Sequence, residues 1–345
     1  MDAFWHQRRV FVTGATGMVG GWLIKALVKR GACVIALTRG TSPEVASMHD
    51  GVIHKCIQVH GSLNDAPLLS RTLEEHKPKT VFHLAGQSQV HTAVANPVGT
   101  LEANVQGTWN LLEACRHTGV TQVILASSAK AYGVSSELPK VESQPLLALS
   151  PYEVSKTCVE LIARMYVATY GLQICMMRCG NTFGGGDMNF NRTIPGVIRS
   201  TCRGERFVLR SDGRDVHDYL YVEDAVQAYL RAARCLAVDP SLAGEVFNLS
   251  LGVQISVLQV VHSVLRLMKR EDLAPVVARD PAQESSRLYL SSNKARLRLR
   301  WLPAFDMESG LDKTILWYRG YLGQTGLFHT AEAQSVPSSF RRQSL

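Results

Sequence analysis

Three side chains in this sequence carry readable chemistry: Ser128, Tyr152 and Lys156. Ser128 closes the strand-like run "QVILASS", and the other two follow in "SPYEVSK". Residues at i and i+4 share one face of a helix, so the Lys156 ammonium sits beside the Tyr152 phenol and lowers its pKa. Such a phenol takes a proton from an alcohol as hydride leaves the alcohol's carbon, and the Ser128 hydroxyl orients the same oxygen. A YxxxK pair alone is common on solvated helix faces. Here it follows a glycine-rich turn and a strand ending in Ser127 and Ser128, which gives it catalytic meaning.

The glycine-rich turn is "VFVTGATGMVG". Gly14 allows the tight bend, Gly17 lets the backbone approach a pyrophosphate, and Gly20 lets a helix pack closely on the preceding strand. The helix N-terminus then faces the phosphates. At the first strand–helix junction of a βαβ unit, this fingerprint predicts a dinucleotide contacted by Gly14, Thr16, Gly17, Met18 and Gly20. Ser127, Tyr152 and Lys156 are expected at its nicotinamide end, with Lys156 also holding the ribose. The alternative is a tight turn without a ligand. The second strand ends "ALTRG", with Thr38 and Arg39 where an acidic residue would bind the ribose of NAD. Arg39 instead suits a 2′-phosphate, so the expected cofactor is NAD(P)+ with a slight lean to NADP. A solvated arginine stacked on adenine is the plainer alternative.

Positioning these residues requires strand ends gathered on one edge of a sheet. The first half of the chain supplies them: "RVFVTG", "CVIALTR", "TVFHLAG", "QVILASS" and "LQICMMR" are short apolar runs. Between them lie helical patterns such as "MVGGWLIKALVKRG", "PVGTLEANVQGTWNLLEACRHTG" and "SPYEVSKTCVELIARMYVATYG", each closed by a glycine. The pattern is that of an α/β fold, a Rossmann-type doubly wound parallel sheet with a smaller C-terminal substrate-binding region. Residues 1–180 form the expected NAD(P)-binding domain. Residues 181–325 form a smaller, mainly ligand-facing region interleaved with it, and 326–345 a tail without periodicity.

Composition bounds the function classes. The chain has 345 residues, 46% hydrophobic and 19% charged, enough for one large or two interlocked domains. Its first strand begins almost at once, which leaves no room for a signal peptide, and no apolar run suits a membrane span, so the cytoplasm is expected. The eight cysteines contain no CxxC pair and read as reduced and structural, with no metal site. The net charge of +8 lies largely in "ARLRLR" and the tail, without the aromatic interleaving of a nucleic-acid binder.

The chain resembles the extended short-chain dehydrogenase/reductase family, in its nucleotide-sugar epimerase/dehydratase group. The resemblance rests on "TGATGMVG", "FHLAGQSQV", "NVQGTWNLLEAC", "SSAKAYG", "SPYEVSK", "MRCGNTFGGGD", "RTIPGVIRS" and "DYLYVEDAVQAYL", in order over roughly residues 8 to 320. Within the group it looks most like CDP-glucose 4,6-dehydratases, and "HLAGQS" and the Arg39 turn are also similar to GDP-mannose 4,6-dehydratases. The resemblance implies that Leu84, Ala85 and Gly86 line the dinucleotide and that Asn104 braces the active-site loop. It also implies that Gln87, Ser128, Asn181, Arg192, Arg214, His217 and Arg287 contact a nucleotide-diphosphate sugar. Arginine suits a diphosphate because its planar fork donates to two oxygens. His217 stands where the group has an arginine, so a neighbour such as Arg214 is expected to take over. A homodimer is implied too, built on helices beginning near Pro97 and Pro151.

The reaction turns on Ala129 and Lys130. In the group's dehydratases the residues after the catalytic Ser or Thr are Asp-Glu or Asp-Lys, and they take the C5 proton and expel the C6 hydroxyl. This chain keeps Lys130, a further candidate catalytic residue, but has Ala129 in place of the acid. A missing general acid costs about 10²–10⁴-fold. A 4-epimerase needs no such acid. The expected function is therefore an NAD(P)-dependent nucleotide-sugar epimerase acting through transient C4 oxidation. The alternatives are an NDP-hexose 4,6-dehydratase, natural or with its acid replaced at Ala129, and an NADPH-dependent 4-keto-sugar reductase.

Overall fold

The computed structural model describes residues 2–40, 51–134, 137–209, 211–277 and 287–324. Seven strands form its main sheet: β1 (Arg9–Thr13), β2 (Cys33–Thr38), β3 (Ile57–His60), β4 (Thr80–His83), β5 (Gln122–Ser128), β6 (Ile174–Cys179) and β7 (Val246–Leu249). They run in the order β7-β6-β5-β4-β1-β2-β3, and every pairing is parallel. The chain order reverses between β1 and β4, the switch point where such sheets bind ligands beyond their C-terminal ends.

The helices, in chain order, are α1 (Met18–Lys29), α2 (Ala66–His76), α3 (Val90–Ala95), α4 (Pro97–Leu101), α5 (Gly107–Thr118), α6 (Pro151–Tyr170), α7 (Thr193–Cys202), α8 (Val222–Val238), α9 (Val257–Leu267), α10 (Asn293–Arg298) and α11 (Met307–Gln324). Two apolar cores explain why the strands read as nearly continuous hydrophobic runs. On β1, Val10 and Val12 join Leu23, Ile24 and Leu27 of α1 and the alanine-rich face of α8. Phe11 points the other way, into a core with Leu69 and Leu73 of α2, Leu111 and Leu112 of α5, and Val159 and Ala163 of α6. The sheet is thus covered on both faces.

The segment expected as one helix from Pro97 to Gly119 is interrupted. Residues Glu102–Gln106 form a π-turn between α4 and α5. Such single turns recur at functional sites, and this one carries Asn104, which is 2% exposed. Helix α6 starts with Pro151, pre-set for the first helical position, while the Glu153 carboxylate accepts from the Ser150 N–H (3.2 Å). It stops at Gly171, in the left-handed region at φ 72°.

The chain divides into two compact units. The first comprises Met1–Thr182, Asp218–Val253 and Leu288–Ala304, and holds the seven-stranded sheet. The second comprises Phe183–His217, Gln254–Arg287 and Phe305–Leu345. In it α7, α9 and α11 pack together, and two short strands, Val216–His217 and Ile255–Ser256, pair antiparallel. The Tyr318 hydroxyl donates to the Asp187 carbonyl at 2.5 Å, and Gly185 lies flat against Trp317, where a Cβ would come within 2.2 Å of the ring. The tail expected over 326–345 lies outside the described residues. Among those described, no helix is long and apolar enough to cross a membrane.

Candidate active site

The C-terminal ends of β1, β4, β5 and β6 carry the expected cofactor and catalytic residues. After β1 the backbone turns at Gly14 with φ 72°, and a Cβ there would lie 2.7 Å from the Ala85 nitrogen. A Cβ on Gly20 would strike the Gly14 carbonyl oxygen at 1.9 Å. Only glycine allows α1 to start this close to the sheet. Gly17 is the N-cap of α1, with no side-chain cap on the helix. Its exposed position, with half-buried Thr16 and Met18 on either side, leaves a bare helix N-terminus of the kind that receives phosphate. Leu84, Ala85 and Gly86 run alongside. A Cβ on Gly86 would be 2.7 Å from Asn104 Oδ1 and 3.7 Å from Lys156 Nζ, so this segment passes directly by Lys156. This glycine-lined backbone cradle fits a dinucleotide. Arg39 is exposed just beyond β2, and the Thr38 hydroxyl before it bonds His60 Nδ1 at 3.0 Å.

Ser128 ends β5 opposite Cys179 of β6, and its hydroxyl accepts from the Lys130 N–H at 3.2 Å. Tyr152 and Lys156 are each 7% exposed, on the inner face of α6. Lys156 Nζ donates to the Ala126 carbonyl at 3.0 Å. Burial brings its pKa down to about 8, against the opposing pull of the Glu160 carboxylate. The ammonium therefore remains charged at neutral pH. Burial pushes the neighbouring Cys179 thiol up to about 11, so it stays protonated.

Some expected contacts are otherwise engaged. The Ser127 hydroxyl, 8% exposed, donates to Glu160 Oε1 at 2.5 Å. The Gln87 side chain closes on Gln89, donating to its carbonyl at 2.7 Å and accepting from its N–H. Lys130 is half-buried, whereas Ala129 is 4% exposed and joins a small apolar cluster with Tyr132, Leu146, Leu288 and Leu290. Asn181 is half-buried, its backbone N–H bonded to the Asp218 carbonyl at 2.8 Å.

These residues all belong to the first unit. Arg192, Arg214, His217 and Arg287 belong to the second. Arg192 pairs with Asp187 at 2.7 Å. Arg214 lies 3.5 Å from Asp212 with its side chain 81% exposed. His217 is half-buried in its short strand, and Arg287 is exposed.

Sequence reading missed the support beneath the site. Glu160, one helical turn beyond Lys156, receives Arg178 through two bonds of 2.8 and 2.6 Å, and both side chains are 1% exposed. An acid at i+4 from Lys156 and an arginine inside "ICMMRCG" were the available signals. His83, the ionisable residue in the otherwise mostly apolar run "TVFHLAG", was another. A separate groove of about 790 Å³, lined by Glu142, Arg164, Arg178 and Lys294 among others, contains none of Ser128, Lys130, Tyr152 and Lys156.

Comparison with known proteins places these features in a family. The model of the NAD dependent epimerase/dehydratase family matches residues 10–250. The dTDP-glucose 4,6-dehydratase of Xanthomonas campestris pv. campestris is 30% identical, over 89% of this chain and 92% of that protein. The UDP-glucose 4-epimerase of Mycolicibacterium smegmatis is 29% identical, over 90% of this chain and 98% of its own length. Among solved structures, a double mutant of the dTDP-glucose 4,6-dehydratase DesIV of Streptomyces venezuelae with NAD bound superposes with a TM-score of 0.81. It shares 27% identity, over 92% of this chain and 98% of that one.

Proposed function

The chain belongs to the NAD-dependent epimerase/dehydratase family, and on that premise we propose that it is a nucleotide-sugar epimerase acting by transient oxidation at C4 of an NDP-hexose. One observation carries the choice of reaction. Ala129, the residue after Ser128, offers only a methyl group, and that group is packed in an apolar cluster. The position where a dehydratase of the resembled kind has its general acid is therefore empty of a proton donor.

Bound NAD(P)+ supplies the hydride acceptor and, once reduced, the donor. Tyr152 takes the proton of the C4 hydroxyl and later returns it. Lys156 keeps a positive charge beside the phenolate, which makes the phenol a competent base near neutral pH. Ser128 orients the same oxygen. No net oxidation results: the hydrogen and the proton leave C4 and O4 and return there, with the hydrogen arriving on the other face. Gln87 and Asn181 border this centre, and Arg192, Arg214, His217 and Arg287 are assigned to the diphosphate and sugar by the resemblance. Arg39 favours NADP through a 2′-phosphate contact.

The second reading, 4,6-dehydration, is supported by the dehydratases among the relatives, while Lys130 discriminates little between the two reactions. Incubation with a panel of CDP-, GDP-, UDP- and dTDP-hexoses separates the two by product mass. An epimerase leaves the mass unchanged, and release of one water would remove the proposal. Net consumption of NADPH with a 4-keto sugar nucleotide would instead identify a reductase.

We further propose a homodimer. Leu111, Leu112 and Val159 face the core, but Val94, Val98, Leu101, Trp109, Leu161 and Met165 of α3, α4, α5 and α6 are exposed, from 41% for Leu101 to 64% for Val98. Helices α3, α4 and α5 each pack on α6, so these exposed apolar residues lie on neighbouring helices.

A further inference from the structure

Beneath the catalytic residues runs a series of hydrogen bonds whose direction is fixed by counting protons. The Ala85 N–H donates to Thr13 Oγ1 (3.2 Å). Thr13 Oγ1 lies 2.8 Å from His83 Nδ1, and His83 Nε2 lies 2.9 Å from Thr108 Oγ1. The Thr108 hydroxyl has one proton and gives it to the Asn104 carbonyl (2.5 Å). Thr108 must then accept from His83, so His83 is the Nε2–H tautomer and its Nδ1 accepts from Thr13. Neutral histidine is what this site holds, because burial, with the nearby Lys156 charge, brings its pKa down to about 3.

The series continues through Asn104. Its amide donates to Ser155 Oγ (2.8 Å) and to the Gln87 carbonyl (3.0 Å), and its Oδ1 accepts from the Gln87 N–H (2.7 Å). The Ser155 hydroxyl donates to the Tyr152 carbonyl at 2.7 Å. Thr13, His83, Thr108, Asn104 and Ser155 are all buried, at 3% exposure or less. β1, β4, the π-turn and α6 are thereby linked across more than a hundred residues of sequence.

We propose that Thr13, His83 and Thr108 are positioning residues, forming a one-way hydrogen-bond chain that holds the cofactor-facing segment Leu84–Gln87 in register with the start of the catalytic helix. The inference rests on the proposed function only in that this segment faces a dinucleotide. The π-turn has a role in it, since it aims the Asn104 side chain at Gln87 and Ser155 while its carbonyl still receives Thr108.

Threonine allows a test in which packing and hydrogen bonding predict opposite orders. Thr108→Val keeps the shape and removes the hydroxyl, whereas Thr108→Ser keeps the hydroxyl and loses a methyl. NADH titration, read by energy transfer from protein tryptophan, should show Kd raised about tenfold or more in the valine variant. The serine variant should stay within about threefold of wild type. With whichever nucleotide sugar the wild type turns over, kcat should fall in Thr108→Val while the sugar's KM holds. Thr13→Val and Thr13→Ser should repeat the pattern from the other end. Serine worse than valine, or all four variants alike, would overturn the proposal. So would loss of folding in both valine variants with normal serine variants, since the chain would then serve stability alone. A wild type that binds neither NADH nor NADPH would instead remove the functional reading beneath it.

Discussion

Tyr152→Phe deletes a single oxygen from a side chain that is 7% exposed, so packing is kept while the proton acceptor is lost. Its kcat should fall by about 10²–10⁴-fold with NADH affinity unchanged, and a variant as active as wild type would remove Tyr152 from the mechanism. Arg39 acts at the other end of the cofactor. If it meets a 2′-phosphate, Arg39→Ala should weaken NADP+ binding by about tenfold or more and leave NAD+ untouched in a calorimetric titration. Equal affinities of the wild type for the two dinucleotides would refute the lean to NADP. Ser128, Tyr152 and Lys156 were legible in sequence because helix periodicity and a strand end fix their relation locally. The engagement of Ser127 with Glu160 and of Gln87 with Gln89 was not, because a side-chain rotamer leaves no trace in residue spacing.

At the scale of elements, Asp218 shows how separated segments are joined. Its backbone carbonyl receives the Asn181 N–H, and its carboxylate accepts from the Leu290 N–H at 2.8 Å and from the Ser250 hydroxyl. Burial pushes its pKa up from 3.8 to about 6, against the opposing pull of Ser250 and the backbone amides. The folded chain thus keeps a proton that the unfolded chain has released. The stability carried by this group is complete below pH 3.8 and is lost as pH rises through about 6. Asp218→Asn removes that titration. Its unfolding free energy, relative to wild type in urea melts, should gain about 3 kcal/mol across this window and stay level above it. A pH-independent difference would contradict the assignment. Strands β1, β2, β4, β5 and β6 were readable because strands buried on both faces are apolar runs; β3, whose residues are partly exposed, and the short β7 were not. The π-turn was not, since its residues satisfy helical periodicity and only the hydrogen bonds of buried Asn104, contributed by residues far away in sequence, reveal why the helix is interrupted.

At the scale of the molecule, the exposed apolar surface of α3 to α6 predicts association. Light scattering at micromolar concentration should give twice the monomer mass, and Leu161→Lys should lower it toward the monomer. A wild-type monomer would show that the patch has another use. The central claim is that hydrogen leaves C4 and returns to C4, with no carbon–oxygen bond broken. It is tested most directly with an NDP-hexose that the protein turns over, carrying deuterium at C4. The account predicts a C4 epimer of unchanged mass that retains the deuterium at C4. A product lighter by one water, with the deuterium moved to C6, would contradict it and make this chain a dehydratase that works without an acid at residue 129.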